Sequence, residues 1–252
     1  MINQEKIWTE SWEKQKEDID RFIEDCNERV DILAKYIKKG DKILDAGCGL
    51  GQVVFNLLNR GYDAYGIDFS AETIKIAKEY HQQKYQETKE RFFVSDIREL
   101  NFPANSFDVY VSYGVIEHFK KTEHEKIIKE AKRVLKNNGL IFLYYPNIKS
   151  VFGIQSALLS ILGVRYIWQI PLSIKYVINL LHKSNFKIID NFTYKFTNSL
   201  IRGFCLNKRT FKNFIPNPFY LIRKPILTFG YRNETKYNRF GEINIIIAKN
   251  EK

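Results

Sequence analysis

With 252 residues the chain is long enough for one α/β domain with insertions, and it does not need the staples that hold very small cores together. Apolar residues at 44% and charged residues at 27% are ordinary globular values; part of the net charge of +11 reflects a composition rich in Lys, Ile and Asn. Cys26, Cys48 and Cys205 form no CxxC pair and are odd in number, which speaks against a disulfide framework or a zinc site and for a reducing cytosol. The first residues, MINQEKIWTESWEKQKEDIDRF, place charges and two tryptophans where an export signal would carry an apolar core, so a cytoplasmic location is expected.

In chain order, Ile19, Phe22, Ile23, Cys26, Val30, Leu33, Ala34 and Ile37 recur near a 3.6-residue period, and one amphipathic helix is expected over 18–39, ending at Gly40. Trp8 and Trp12, four apart, precede it. They fit either a lid over a ligand or a helix stapled to the domain surface. Next comes ILDAGCGLG, Ile43 to Gly51, a strand running into a loop with Gly47, Gly49 and Gly51, followed by the helical run Val53 to Gly61. Such a turn brings bare N–H groups and a positive helix end to a nucleoside or a carboxylate. The dinucleotide fingerprint would need a third glycine where Gln52 stands.

A second strand, Asp63 to Ser70, places Asp68 seventeen residues after Gly51, about the separation that sets an acid on ribose hydroxyls. Ser70 is read as the cap of a helix over 71–81. A third strand lies within Arg91 to Leu100 and leads to Asp96, either a ligand contact or a helix cap. A fourth, Phe107 to Ser112, leads into the loop Tyr113 to Phe119. A helix over 120–136 ends at Asn137 to Leu140, and a fifth strand runs from Gly139 to Asn147. Strand and helix thus alternate from 43 to 147, which argues a parallel, doubly wound sheet with its ligand at the carboxyl ends of the strands.

The run D-x-G-x-G-x-G from Asp45 to Gly51, followed in order by the acids at Asp68 and Asp96 and by the loop after the fourth strand, resembles the class I S-adenosylmethionine (SAM) dependent methyltransferases, in particular the type-11 or ubiquinone-methyltransferase-like members. The resemblance covers about 105 residues, 43–147. It implies a Rossmann-like seven-stranded sheet, mostly parallel with one antiparallel strand and helices on both faces, completed by a helix over 173–184 and strands over 186–196 and 242–248. It also implies SAM as cofactor, with Gly47, Gly49 and Gly51 cradling it, Asp68 on the ribose, and Asp96 with Ile97 on the adenine. Asp45, Cys48, Phe69, Ser112 and Tyr113 join the set of cofactor contacts, and no metal is required.

Methyl transfer from a sulfonium is an in-line displacement from an already activated donor, so the protein supplies orientation and, for an oxygen acceptor, a base. Glu117 and His118 are the candidates, because they follow the fourth strand, where the methyl group should point; a role in shaping the loop is the alternative. Tyr113 and Tyr145 are further site-lining candidates. The sequence SYGV, Ser112 to Val115, differs from the Asn/Asp-Pro-Pro-Tyr signature of amide and nucleobase amino methylation, which leaves small molecules, lipids and sugars.

The domain is read as a helical segment over 1–40, a cofactor core over 41–147, and two inserts, 148–172 and 197–241, that cover the acceptor. Val151 to Leu172 is strongly apolar with Arg165 as its one charge, yet too rich in polar residues for a good membrane span. A lid over an apolar pocket, an interfacial helix and extra core packing all fit it. The second insert sets nine Lys and Arg against Glu234, interleaved with aromatics, as suits anionic lipid headgroups, a phosphorylated acceptor, RNA or a solvated basic face. Peripheral membrane contact through 151–172 and 202–240 is one expectation, and nucleic acid is disfavoured. The expected function is methyl transfer to the oxygen of a small-molecule or lipid-like acceptor. A non-catalytic SAM- or RNA-binding partner module and an NAD(P)-dependent oxidoreductase are the alternatives.

Overall fold

In the computed structural model, residues 9–10, 12, 16–150, 154, 172–194 and 243–252 are described. The apolar period at the N-terminus is not one continuous helix, which corrects the expectation for 18–39. It breaks at Cys26 into α1 (Ile19–Asp25) and α2 (Asn27–Leu33). The cause is tertiary. The Asn56 side-chain amide donates to the Ile23 carbonyl at 2.7 Å and to Asn27 Oδ1 at 2.9 Å, taking up the carbonyl that a continuous helix would offer to the Asn27 amide. Ile19, Ile23, Cys26, Val30, Leu33 and Ile37 are nonetheless buried.

The alternating units follow as β1 (Lys42–Ala46), α3 (Gln52–Asn59), β2 (Asp63–Asp68), α4 (Ala71–Tyr85), β3 (Phe92–Val94), β4 (Phe107–Tyr113), α5 (Lys121–Val134), β5 (Leu135–Pro146), α6 (Ile174–Lys183), β6 (Phe186–Tyr194) and β7 (Ile243–Asn250). Serines cap two of the helices. Ser70 Oγ accepts from the Thr73 amide at 3.3 Å, and Ser173 Oγ from the Tyr176 amide at 3.2 Å. The third strand is only three residues long, shorter than the apolar run suggests. β5 starts four residues earlier than expected, because Asn138 adopts φ +63° and the pairing with β4 shifts between Phe107 and Val109, so the Asn-Asn-Gly stretch is an irregular strand entry rather than a turn after the helix.

All seven strands form one sheet in the order β3-β2-β1-β4-β5-β7-β6, with β7 antiparallel to both its neighbours and the remaining pairs parallel. Alternate strand residues feed two cores. Ile43, Val109, Val111 and Phe142 meet α1 to α4 on one face, and Leu44, Tyr110, Ile141 and Leu143 meet α5 and α6 on the other. The strand order reverses between β1 and β4, so the crevice for a ligand opens beyond the carboxyl ends of these strands.

The two inserts lie almost wholly outside the described residues, and so do the lid, interfacial-helix and basic-face expectations placed on them. Their roots are described. Asn147 pairs with Leu172 in an isolated bridge, and Asn244 Nδ2 donates to the Leu172 carbonyl at 3.1 Å. Tyr194 pairs with Ile243, which in turn pairs with Pro146 at the end of β5. Both segments therefore leave and rejoin the sheet at the edge where the crevice opens.

Candidate functional site

The glycine loop lies between β1 and α3. The amides of Gly47 and Cys48 both donate to the Ile67 carbonyl at 2.8 Å, which pins the loop to the end of β2. Gly51, at φ +84°, caps α3, and a Cβ there would lie 2.5 Å from the Phe92 ring, so both backbone and space demand glycine. At Gly49 a Cβ would lie 2.7 Å from the indole of Trp12. The N-terminal segment thus reaches the glycine turn itself, and Thr9 Oγ1 lies 3.0 Å from Ser70 Oγ beside it. Trp8 is outside the described residues.

Two acids stand around this loop. Asp68 accepts from the Gly49 amide at 3.1 Å and from the Ser70 amide at 3.0 Å. Burial raises its pKa, and the amides of Ser70, Gly49 and Phe69 work against that rise. Asp45, at the end of β1, is buried, and its Oδ1 has no hydrogen-bond partner among the described residues. Desolvation, reinforced by the charge of Asp68 and opposed by Arg29, pushes its carboxyl up to about 8. Cys48 is buried between them, with its thiol raised well above its usual value by the same burial and acids.

Phe69 is exposed next to Asp68. Asp96 follows β3, and both its oxygens are held by Arg98, whose Nε lies 3.0 Å from each. Burial works against ionisation there, but the hydrogen bonds and charge of Arg98 outweigh it and keep the Asp96 carboxyl low. Arg98 also pairs with Glu123 of α5. Ile97 is buried beside them.

On the β4 side, Ser112 is buried and the Tyr113 hydroxyl is enclosed without a partner among the described residues. Val115 reaches back to the loop, where a Cβ on Gly47 would lie 2.5 Å from it. Glu117 and His118 belong to a 3-10 turn, Ile116–His118. Glu117 points inward. It is buried, its Oε2 is unpartnered among the described residues, and desolvation pushes its carboxyl up to about 8. Burial and the neighbouring Glu117 raise the enclosed Tyr145 phenol far above its usual value. His118 is half-buried at the end of the turn. The structure thus gathers the glycines, Asp45, Cys48 and Asp68 at one point, with Ser112, Tyr113 and Glu117 beside them at the end of β4. Asp96 and Ile97 lie past β3.

Residues 44–143 match the model of the family described as "Methyltransferase domain". The chain carries a methyltransferase domain. It is 28% identical over 144 residues to a ubiquinone biosynthesis O-methyltransferase of Coxiella burnetii, covering 55% of this chain and 58% of that protein. It is 30% identical over 138 residues to the human eEF1A lysine and N-terminal methyltransferase, covering 54% and 19% of the two chains. The chain therefore spans less than two thirds of these curated relatives. A solved SAM-dependent methyltransferase of Methanosarcina mazei shares the fold, with a TM-score of 0.61 and 22% identity over 87% of this chain and 97% of that one. The class I methyltransferase resemblance and the seven-stranded sheet expected from it agree with this assignment.

The methyltransferase domain also fits the cofactor its class takes. The glycines keep side chains out of the turn, Asp68 ends β2 where a ribose would sit, and the buried, half-unpartnered Asp45 calls for a cation, which the ammonium and sulfonium of SAM both supply. Motif reading missed two residues around this site, Arg29 of α2 and Arg98. Neither belongs to a pattern, and each is recognisable only from what the fold brings next to it. Among the described residues no helix is long and apolar enough to cross a membrane.

Proposed function

We propose that the protein is a SAM-dependent methyltransferase that methylates a hydroxyl of a small molecule. The observation that carries the reading is the pair of buried acids, Asp45 and Asp68, standing against a glycine loop at the switch point of a doubly wound sheet. The likeness to the Coxiella O-methyltransferase supports an oxygen acceptor.

When bound, SAM supplies an electrophilic methyl group on a positively charged sulfur, which leaves as a neutral thioether. The chain's part is to orient and to take up a proton. Asp68 would hold the ribose hydroxyls, Asp96 with Ile97 would receive the adenine, and the glycine loop would leave room for the amino-acid part. A ring nitrogen of His118 would receive the acceptor's proton. Glu117, inside the same turn, is neutral below about pH 8 and keeps its proton. Both inserts are rooted on the crevice edge, which supports drawing the acceptor's contacts from them.

Calorimetric titration of the full chain with SAM, wild type against Asp68→Ala, tests the reading. Loss of a charge-assisted contact corresponds to about a 10- to 100-fold weaker Kd. Unchanged affinity in the variant refutes the ribose assignment, and product formation with labelled SAM across hydroxyl and amine acceptors decides the acceptor atom.

A further inference from the structure

The turn that carries Glu117 and His118 ends on Phe119, whose amide donates to the Ile116 carbonyl at 3.2 Å. The Phe119 carbonyl is taken up from α5. There His124, wholly buried in the first turn of that helix, sets Nε2 3.1 Å from the carbonyl and Nδ1 3.0 Å from the Tyr176 hydroxyl of α6. A carbonyl only accepts, so Nε2 carries the imidazole proton, Nδ1 is the bare nitrogen, and the Tyr176 O–H donates to it. Burial favours this neutral ring. The two rings also meet edge to face, 5.7 Å between centres.

Tyr176 is itself fixed. Its amide donates to Ser173 Oγ at 3.2 Å, and Leu172, one residue before that serine, pairs with Asn147 and accepts from Asn244. A directional chain of hydrogen bonds thus runs from the root of the first insert, through a hydroxyl and an imidazole, to the residue that closes the turn. On its other side the Phe119 ring lies under the Arg98 guanidinium, 5.4 Å from it. A single 3-10 turn has weak internal hydrogen bonding, so what grips its ends sets its place, and a base displaced by about 1 Å loses on the order of a hundredfold in rate. Resting on the reading of His118 as the base, we infer that His124 is a positioning residue, which with Tyr176 anchors the Ile116–His118 turn to the helix that receives the chain back from the first insert. It acts through Phe119 and keeps His118 in a fixed relation to the root of that insert.

The split between turnover and cofactor affinity separates positioning from general support. Turnover is read in the full chain with labelled SAM and a hydroxyl compound that the wild type methylates. Tyr176→Phe removes one oxygen, keeps the ring and lowers kcat by about 3- to 10-fold. His124→Leu removes both bonds and lowers it by about 10- to 100-fold. His124→Gln, which can still donate to the Phe119 carbonyl, returns kcat to the level of Tyr176→Phe. In all three variants S-adenosylhomocysteine, the demethylated cofactor, binds by calorimetry within about twofold of wild type, which damage spreading into the crevice would not allow. A kcat within about twofold of wild type in His124→Leu, or a parallel loss of adenosylhomocysteine affinity in the mild Tyr176→Phe, overturns the assignment. His118→Ala, assayed beside them, keeps the two readings apart. Full turnover in that variant, or a wild type that methylates no hydroxyl, overturns the base reading and this one with it. An inactive His118→Ala beside an unaffected His124→Leu confines the failure to His124.

Discussion

Asp45→Asn should make the unliganded protein more stable while weakening its hold on SAM. In the folded chain burial keeps the Asp45 carboxyl near pKa 8, against 3.8 for an ordinary aspartate. A folded pKa raised in this way means that the native state holds a proton that the unfolded chain releases. The stability contributed by the protonated form is complete below about pH 4 and is lost progressively as pH rises to about 8. At about 1.4 kcal/mol per pH unit, the penalty at pH 7 is on the order of 4 kcal/mol. Asparagine has the shape of the neutral acid and does not titrate, so the variant escapes the penalty. For a chain of this size its Tm at pH 7 should rise by roughly 5–15 °C, with the gap shrinking towards zero near pH 4. Scanning calorimetry of both proteins from pH 4 to pH 9 without ligand reads this directly. A Tm gap that does not change with pH would falsify the account of Asp45 as a buried acid kept for a cationic ligand. Such a group trades apo stability for function, and the same variant should bind SAM at least tenfold more weakly.

Two further outcomes follow from particular contacts. Gly51→Ala forces a side chain onto φ +84° and into the Phe92 ring, and should lower stability by about 2–4 kcal/mol in denaturant unfolding; a change under about 0.5 kcal/mol would show that the loop relaxes freely. Glu117→Gln copies the neutral acid that the pKa of about 8 predicts, so methyl transfer at pH 7 should stay within about threefold of wild type, whereas a hundredfold loss would make Glu117 the working base.

Much of this was legible in the chain because its punctuation is strong. The strand ending at Asp68 and the capping serine at 70 are local signals, and the structure places each where its residue type requires. The N-terminal helix was read as continuous because its apolar period does not falter at Cys26. What breaks it is Asn56, thirty residues away, reaching the Ile23 carbonyl, and a period carries no trace of such a contact. The early start of β5 was hidden for the opposite reason: Asn-Asn-Gly is a sound helix stop, and only pairing with β4 shows that the same residues enter a strand. At the site, Asp45 and Asp68 follow from a motif and a spacing. Arg29 and Arg98 do not, because each sits beside an apolar stripe like any solvent-facing cation, and its meaning comes from the acid the fold sets before it.

The neighbouring roots of the two inserts bear on how the protein could acquire a different acceptor. Since Asn147 meets Leu172 and Tyr194 meets Ile243, each excursion closes on itself and the sheet continues as though it were not there. Changing the length of such a loop alters closure entropy only logarithmically, by about 0.6 kcal/mol per doubling. The sheet and the glycine loop can therefore stay unaltered while either segment is lengthened, shortened or replaced.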